Sequence, residues 1–490
     1  MWYNMRKDII LREITMKQNR KLSIATAVCY FGLYIVIALS LLIRQPFGSP
    51  PDENNRYLVP QYIVEHGTLP NGYDEEIRIG GYGFSYAFQP ILPYIFQGYA
   101  MRLVNLFTDS EEALLYTARS VNFLFGLVMA VFVMLLGRKW FEDRRFAWLF
   151  AFLVTFLPQA IFMHTYVNTD SCCMMATAIM LYGLTCGLKD GFKWSSSTVM
   201  AVGIIFCAMS YYNAYGYILS CMLLFVAFYL TRADGKISFD WKPFLKWGCF
   251  ISVLVLAGIG WWFVRSAILY DGDFLGLQAR ENCAALYAVP EQHPDTRLTW
   301  QNQGYSVWDM LRETTFFELS RMSFIGIFGA MSIPMSPWVY RFYRVLLFGC
   351  AVLGILIPLK KCKGATKLLP RRKGLEVFFR LNMVFCILMP LILSIQYSYT
   401  RDYQPQGRYL LPSLVPLGYY SVRGLEKFFR ANFWECFLLI KGKMILPAGR
   451  RKEWLETGVV VALCLLIAVC IIVSVYGYVY PYYAENPGAL

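Results

Sequence analysis

Two adjacent carboxylates, Asp52 and Glu53, stand in the segment GSPPDENNRY, and a carboxylate is a residue type that can act as a general base. Arg56 follows Asp52 at the i+4 position, so the two side chains share one face of a helix. A carboxylate beside a guanidinium stays ionised at neutral pH, and it can accept a proton from a substrate hydroxyl or bind a cation. The alternative is a helix N-cap with one ion pair, because Asp52 follows two prolines and precedes a helical stretch.

Three more charged residues stand at the ends of apolar stretches. Asp170, in HTYVNTDS, is costly at membrane level unless it faces a polar cavity, but it could also be only a helix N-cap. Arg408, in QGRYLLP, begins an apolar helix and could bind a phosphate there or anchor the helix at headgroup depth. Arg265 ends WWFVR, where it either binds an anion or marks an aromatic belt.

The elements that must position these side chains are membrane spans. Only 16% of the 490 residues are charged and 57% are hydrophobic, whereas soluble domains are about 25% charged. The apolar residues form long blocks, which indicates an all-α polytopic membrane protein. We predict eleven spans, at about 22–43, 113–137, 146–163, 171–188, 197–211, 215–230, 247–269, 338–358, 376–396, 409–422 and 457–479.

Two other apolar stretches, 85–106 and 322–337, are ambiguous. Basic loops of membrane proteins face the cytoplasm. If 85–106 crossed the membrane, the basic cluster from Arg138 to Arg145 would lie outside. We therefore predict that 85–106 lies along the outer surface, and that 322–337, broken by Pro334 and Pro337, lies on the surface or re-enters. Residues 197–230 predict a tight pair of spans that turns at 211–216.

This arrangement puts the N-terminus in the cytoplasm and the C-terminus and the acidic pair outside. It produces two long outer loops, 44–112 and 270–337. Every lysine then lies inside, whereas the outer face carries arginine without lysine. The domain prediction is a basic cytoplasmic N-terminus at 1–21, a membrane domain at 22–425, a cytoplasmic amphipathic segment at 426–456, and a last span with an outer tail at 457–490.

Several functional classes are excluded. The basic residues form short clusters between apolar blocks and no stripe with stacking aromatics, so nucleic acid is not an expected partner. The sequence contains no P-loop, GxSxG or HExxH motif. The sequence has three histidines, which argues against a multi-histidine metal site. Most cysteines stand inside apolar blocks, where cysteine behaves as a small hydrophobic residue.

Five strings occur together in a recognisable order: PPDENNRY, FQPILPYIF, YVNTDS, WWFVRSAILYDGDFLG and QGRYLLP. Their pattern resembles the GT-C-fold membrane glycosyltransferases, which include the protein O-mannosyltransferases and the lipid A aminoarabinose transferases. The similarity extends over roughly residues 22–425 and is greatest to a bacterial branch described as predicted membrane proteins. Related sequences often carry His at the position of Arg56, and His-Pro or Lys-Pro at the position of Gln89-Pro90.

The resemblance implies an inverting transfer of a sugar from a polyprenyl-phosphate donor to an acceptor on the outer face, in cell-envelope polysaccharide modification. It implies that Asp52 is the general base, that Glu53 supports it and that Asp170 lines the same cavity. Arg408, Arg265 and Arg56 would bind the phosphate of the donor. The expected substrate contacts are Tyr57, Gln89, Gln406 and Tyr409.

The expected partners are the lipid-linked sugar, membrane lipids and a glycan, lipid or protein acceptor. No cofactor is required, although the outer acids would permit a divalent cation. Two alternatives remain open. A lipid or polysaccharide transporter or flippase would need polar residues through the midplane of the membrane, which the sequence barely offers. In a membrane scaffold of a polysaccharide assembly complex, the acids would be structural.

Overall fold

The computed structural model describes residues 2–233, 236–357, 368–369, 372–430 and 450–486. Within these residues the first half of the chain forms α1 to α9, at Trp2–Arg44, Glu53–His66, Leu92–Asn105, Glu111–Trp140, Arg144–Thr155, Pro158–Met163, Asp170–Asp190, Trp194–Ala208 and Tyr215–Tyr229. The second half forms α10 to α19, at Trp241–Leu269, Leu277–Tyr287, Val307–Glu313, Phe316–Gly326, Pro337–Tyr343, Cys350–Leu356, Lys373–Thr400, Leu414–Arg430, Arg450–Ser474 and Tyr480–Glu485.

The remaining regular elements are short. Two antiparallel hairpins pair β1 with β2 and β3 with β4, at Leu230–Ala233 with Lys236–Phe239, and at Ile327–Phe328 with Ile333–Pro334. Single turns of 3₁₀-helix occur at Glu75–Ile77, Tyr86–Phe88 and Tyr212–Ala214, a longer one occurs at Gly407–Ser413, and π-helical turns occur at Arg344–Gly349 and Val475–Val479. The predicted all-α architecture is confirmed for the described residues.

Eight of the predicted spans are long, apolar helical stretches in the described part of the chain. They run over Ser23–Arg44, Glu111–Trp140, Asp170–Asp190, Tyr212–Tyr229, Trp241–Leu269, Pro337–Leu356, Lys373–Thr400 and Glu453–Glu485. Each has the length and composition needed to cross a membrane. The predicted turn at 211–216 is also present, because the 3₁₀ turn at Tyr212–Ala214 joins α8 to α9.

The other three predicted spans do not form continuous helices of membrane length. The stretch 146–163 breaks into α5 and α6 before Pro158, whose ring cannot donate a backbone hydrogen bond. The stretch 197–211 belongs to α8, whose 15 residues extend only about 22 Å. The stretch 409–422 is divided between a 3₁₀-helix that contains Pro412 and the 17-residue α17. These pieces are buried among the longer helices.

The two ambiguous stretches do not form membrane-length helices, in agreement with the prediction. The segment 85–106 consists of a 3₁₀ turn and the 14-residue α3, which packs against α2 and α4. The segment 322–337 contains the end of α13 and the β3–β4 hairpin. The outer loop 44–112 therefore contributes two helices, α2 and α3, to the same side of the bundle as the start of α4.

Helix α7 lies at the centre of the bundle, and nearly all of its side chains are buried. It packs closely against α8, where a side chain at Gly203 would place its Cβ 2.5 Å from the backbone nitrogen of Met180. Such an approach between helices requires glycine. The position of α7 matters because its first residue is Asp170.

Helix α18 is joined to the bundle by polar contacts as well as by apolar packing. The Nη1 atom of Arg145 donates to the hydroxyl of Thr457 over 2.7 Å, and its Nη2 atom lies 3.3 Å from the Glu456 carboxylate. The last span therefore packs against α5. Of the predicted amphipathic segment 426–456, residues 431–449 lie outside the described residues.

Candidate active site

Asp52 is the residue before α2, and its backbone is left-handed, with φ of 62°. Its side chain makes no capping hydrogen bond to the helix. The residue therefore has the N-cap position that the sequence predicts, but its carboxylate is directed elsewhere. An aspartate tolerates this conformation better than most residues, at a cost of about 1 kcal/mol.

The Asp52 carboxylate lies between two arginines. Its Oδ2 atom accepts a hydrogen bond of 2.6 Å from Nη2 of Arg408 and lies 3.9 Å from Nη2 of Arg56. Its Oδ1 atom has no hydrogen bond from the described residues, and the side chain is 34% exposed. Burial raises the pKa of Asp52, but the charges of Arg408 and Arg56 lower it by more, so the pKa is below its ordinary value. Asp52 is therefore ionised at neutral pH.

Arg56 is buried and lies between the segment that contains Asp52 and the segment that contains Asp170. Its Nη1 atom donates to the hydroxyl of Thr169 over 3.2 Å and to that of Tyr94 over 3.4 Å. The same atom lies 3.7 Å from the Asp170 carboxylate, and the guanidinium stands 5.0 Å from the centre of the Tyr86 ring. One arginine thus lies between the two carboxylates.

Asp170 is 3% exposed and begins α7. Neither of its carboxylate oxygens has a hydrogen-bond partner among the described residues, and Arg56 is its ion-pair partner there. The helix dipole favours a negative charge at this end of α7. A buried carboxylate without hydrogen bonds is costly, and the Asp170 side chain makes no capping hydrogen bond to α7.

Glu53 is fully buried and makes a two-pronged ion pair with Arg119 of α4, with N–O distances of 2.8 Å and 2.6 Å. It also accepts hydrogen bonds from the backbone amides of Val167 and Gly48. Arg119 donates in addition to the carbonyls of Leu42 and Gln45. Glu53 therefore fixes the segment before α2 to α4 and to the segment between α6 and α7, and it does not line the cavity beside Asp52.

Arg408 stands in the 3₁₀-helix Gly407–Ser413 and is buried. Besides its bond to Asp52, its Nη2 atom donates to the hydroxyl of Tyr409 over 3.0 Å, and Tyr409 donates to the side-chain oxygen of Gln404. The backbone amide of Gly407 donates to the Ser323 hydroxyl over 2.7 Å, which fixes this turn to α13. The Nε atom of Arg408 has no partner among the described residues.

A cavity of about 250 Å³ opens beside Asp52. Its walls come from the first outer loop, the α8–α9 turn, α11, the end of α16 and the 3₁₀-helix of Arg408. Its lining residues are Asp52, Asn55, Arg56, Ile79, Tyr82, Phe84, Tyr86, Gln89, Pro90, Tyr94, Thr169, Tyr211, Tyr212, Asn213, Arg280, Leu393, Ser394, Tyr397, Gln404 and Tyr409. With Thr169, which precedes α7, the structure brings together residues from six separate parts of the chain.

Some of the site residues suggested by the sequence line this cavity, and others do not. Asp52, Arg56, Gln89 and Tyr409 line it, while Asp170 and Arg408 stand directly behind its wall, in contact with Arg56 and Asp52.

Besides Glu53, Asp170 and Arg408, three more of the suggested residues do not line the cavity. Arg265 donates to the carbonyls of Leu69 and Pro70 over 3.3 Å and 2.8 Å. Tyr57 packs against Phe47, with ring centres 5.2 Å apart. The side-chain oxygen of Gln406 is buried without a partner among the described residues.

Two arginines of this region belong to none of the sequence motifs described above. Arg119 stands inside a predicted span, where a lone charge is itself a signal that a partner must be near. Arg280 of α11 lines the cavity, and its guanidinium lies 4.0 Å from the centre of the Phe84 ring. Sequence analysis misses Arg280 because its position depends on how the outer loop 270–337 folds over the first loop.

The cavity residues do not fit a divalent cation. Asp52 and Asp170 both face Arg56, and Asp52 also binds Arg408, so a cation between the acids would meet two guanidinium groups. Among the described residues, the one group of three close potential ligands is Glu65, His66 and Glu76, which is exposed and does not line the cavity. The residues of this cavity are therefore suited to chemistry that does not use a divalent cation.

The helical bundle has the GT-C fold of membrane glycosyltransferases. ArnT from Cupriavidus metallidurans, solved with undecaprenyl phosphate, superposes with a TM-score of 0.50 at 13% identity, over 91% of this chain and 71% of that one. The Archaeoglobus fulgidus oligosaccharyltransferase, solved with a tethered acceptor peptide, gives 0.46 at 16% identity, over 92% of this chain and 54% of that one. At such identities the likeness shows the fold alone, and this chain spans about half the length of the oligosaccharyltransferase.

The chain belongs to the DUF2142 family, described as predicted membrane proteins, whose model matches residues 73–417. This range contains Asp170, Arg280 and Arg408 but begins after Asp52. No protein with a curated description matches the sequence. Family and fold together make this an integral membrane protein.

Proposed function

We propose that this protein transfers a sugar from a polyprenyl-phosphate donor to an acceptor on the extracytoplasmic face of the membrane, with inversion at the anomeric carbon. The observation that carries the proposal is the state of Asp52. It is an ionised carboxylate with one oxygen bound by Arg408, the other oxygen free of hydrogen bonds from the described residues, and a cavity in front of it. This is the arrangement that a general base requires.

In the proposed reaction, the acceptor hydroxyl gives its proton to Oδ1 of Asp52 while its oxygen attacks the anomeric carbon. The bond between that carbon and the phosphate oxygen breaks, and the electron pair leaves with the polyprenyl phosphate. The new glycosidic bond forms on the opposite face of the sugar ring, so the anomeric configuration inverts. The reaction is then balanced, because Asp52 keeps the proton until the proton passes to solvent.

The departing phosphate gains negative charge, and fixed cations in a site of low polarity stabilise such charge strongly. We assign this role to Arg408 and Arg56. The two arginines are balanced by Asp52 and Asp170 in the described structure, and the Nε atom of each is buried without a hydrogen-bond partner among the described residues. Asp170 holds Arg56 in place. We do not assign this role to Arg265, because it does not line the cavity and its Nη2 atom donates to the carbonyls of Leu69 and Pro70.

The donor lipid needs a path from the bilayer to the cavity. Leu393, Ser394 and Tyr397 line the cavity and belong to α16, a helix of membrane length. The neighbouring side chain of Ile392 is 53% exposed on the same helix. We therefore place the prenyl tail along α16, where Tyr94 of α3 lines the same cavity. The topology of this proposal keeps the N-terminus in the cytoplasm and the C-terminus outside.

The test is Asp52→Asn, with Asp295→Asn as the control because Asp295 is an exposed acid of the outer loop 270–337. We expect Asp52→Asn to fold normally and to lose at least about 100-fold in sugar transfer, as removal of a general base does. Transfer is measured as the release of polyprenyl phosphate from membranes supplied with labelled polyprenyl-phosphate sugars. Full activity in Asp52→Asn would refute the assignment, and a variant that fails to fold would support the scaffold alternative.

A further inference from the structure

A second cavity, of about 310 Å³, adjoins the first one. The two share Tyr82, Phe84, Arg280 and Tyr397 in their walls. The rest of the second cavity comes from α11, from the following part of the outer loop 270–337 and from Arg401 at the end of α16. It therefore stands next to the proposed reaction centre but on the side formed by outer loops.

The charge of the second cavity is strongly one-sided. Arg280, Arg297 and Arg401 line it, against one acid, Glu281, which is paired with Arg401 at 2.5 Å. Neither Arg280 nor Arg297 makes a side-chain hydrogen bond or ion pair among the described residues, and the Nε atom of each is buried without an acceptor. Two guanidinium groups without counter-charges thus face one cavity, an arrangement that favours an anion.

These arginines are held by a rigid framework. Asp273 accepts hydrogen bonds from the amides of Gly276 and Ala279, over 3.0 Å and 2.9 Å, and so fixes the start of α11. Gly83, with φ of 72°, lies so close to the end of α11 that a Cβ atom would come within 2.3 Å of the Ala288 nitrogen. The two outer loops therefore pack directly against each other at α11, the helix that carries Arg280.

We propose that this second cavity, through Arg280 and Arg297, binds a phosphate or carboxylate group of the acceptor, so that the acceptor is an anionic glycan. The inference rests on the proposed function, because it takes the first cavity as the place of sugar transfer. A guanidinium offers a fixed fork for either anion. The phosphate of the donor must remain near its prenyl tail at the membrane, whereas the second cavity is formed by outer loops, where a water-soluble glycan can approach.

The experiment measures binding to the full chain in lipid nanodiscs at fixed ionic strength. The anionic probes are hexagalacturonate and glucose 6-phosphate, the neutral probe is maltohexaose, and the lipid probe is undecaprenyl phosphate. The variants are Arg280→Gln and Arg297→Gln. Arg312→Gln is the matched control, since it removes the same charge from an exposed position of the same loop.

We expect the wild-type chain to bind the anionic probes and not to bind maltohexaose. Each of the two variants weakens binding of the anionic probes about tenfold, as loss of a charged hydrogen bond does, while Arg312→Gln leaves it unchanged. Equal binding in wild type and variants would overturn the proposal. So would variants that lose only undecaprenyl phosphate, because the arginines would then serve the donor.

These measurements do not depend on turnover. If Asp52→Asn kept full activity while Arg280→Gln lost the anionic probes, the reaction assignment would fail and the anion site would stand. If the reverse occurred, the transferase assignment would stand and the acceptor would not be recognised through this cavity.

Discussion

At the scale of single residues, the backbone of Asp52 decides what its side chain can do. A carboxylate at an N-cap normally accepts hydrogen bonds from the first amides of its own helix. The left-handed conformation, with φ of 62°, directs the Asp52 carboxylate towards Arg408 instead. Asparagine also tolerates this conformation. The Asp52→Asn variant therefore removes the charge while keeping the backbone, which makes it a sharper test than alanine.

Glu53 has a different role from its neighbour, and a stability measurement distinguishes the two. Its ion pair with Arg119 is fully buried, so Glu53→Gln leaves an uncompensated guanidinium and should cost about 3–5 kcal/mol of the free energy of unfolding. We expect Glu53→Gln to lower the thermal-unfolding midpoint in detergent by more than Asp52→Asn does, because Glu53 is fully buried whereas the Asp52 side chain is 34% exposed.

Asp190→Asn is the matched control for Glu53→Gln, because the pair between Lys139 and Asp190 is also ionic, at 2.8 Å, but its acid is 53% exposed. An exposed pair contributes at most about 1 kcal/mol. Equal effects of Glu53→Gln and Asp190→Asn on the midpoint would contradict the structural role of Glu53.

The sequence predicted part of this site and missed the rest for a physical reason. Asp52, Asp170 and Arg408 are charged residues at the ends of apolar stretches, where charge is expensive enough to be informative. The structure brings them together around Arg56. Arg280 stands in a polar outer loop, where an arginine is ordinary. Its importance follows from contacts with Phe84 that link residues about 200 positions apart, which no local pattern reveals.

At the scale of elements, hydrophobic runs predicted where the chain is apolar but not whether it continues as one helix. Eight predicted spans are helical stretches of membrane length among the described residues. The stretches 146–163 and 409–422 contain proline at the points where they break, Pro158 and Pro412. Surrounding helices shield these breaks, and buried non-helical backbone is tolerated at membrane depth under that condition. The breaks allow the segment before Asp170 and the segment of Arg408 to reach the site.

The contact between α7 and α8 positions Asp170, and it can be tested at Gly203. In Gly203→Ala, the new methyl group would stand 2.5 Å from the Met180 nitrogen, so the helices must separate. We expect a loss of about 1–3 kcal/mol in stability, the usual cost of overpacking, together with reduced sugar transfer. The measurement is the thermal-unfolding midpoint in detergent, beside the transfer assay.

Gly260→Ala is the matched control, because Gly260 is also in the middle of a long helix but a Cβ atom there would meet nothing within 4 Å. Alanine favours helix over glycine, so this variant should be as stable as the wild type or slightly more stable. A Gly203→Ala variant that was equally stable would show that α7 and α8 can move apart freely.

At the scale of the whole molecule, the distribution of charge between the two faces supports the proposed topology. In the proposed topology, the face that carries arginine without lysine also carries both cavities, and its arginines contact Asp52, Asp170, Glu53 and Glu281. Arg280 and Arg297 remain without acidic partners among the described residues. These two cavities adjoin each other on one side of the bundle, whereas a transporter needs two gated faces.

The most direct test of the proposed transferase is the structure of the full chain with a polyprenyl-phosphate sugar analogue whose anomeric oxygen is replaced by carbon. We predict that the phosphonate lies within hydrogen-bonding distance of Arg408 or Arg56, that the prenyl tail follows α16, and that the anomeric carbon faces Oδ1 of Asp52 across a gap large enough for one hydroxyl group. A phosphonate bound away from these arginines, or a sugar that does not face Asp52, would contradict it.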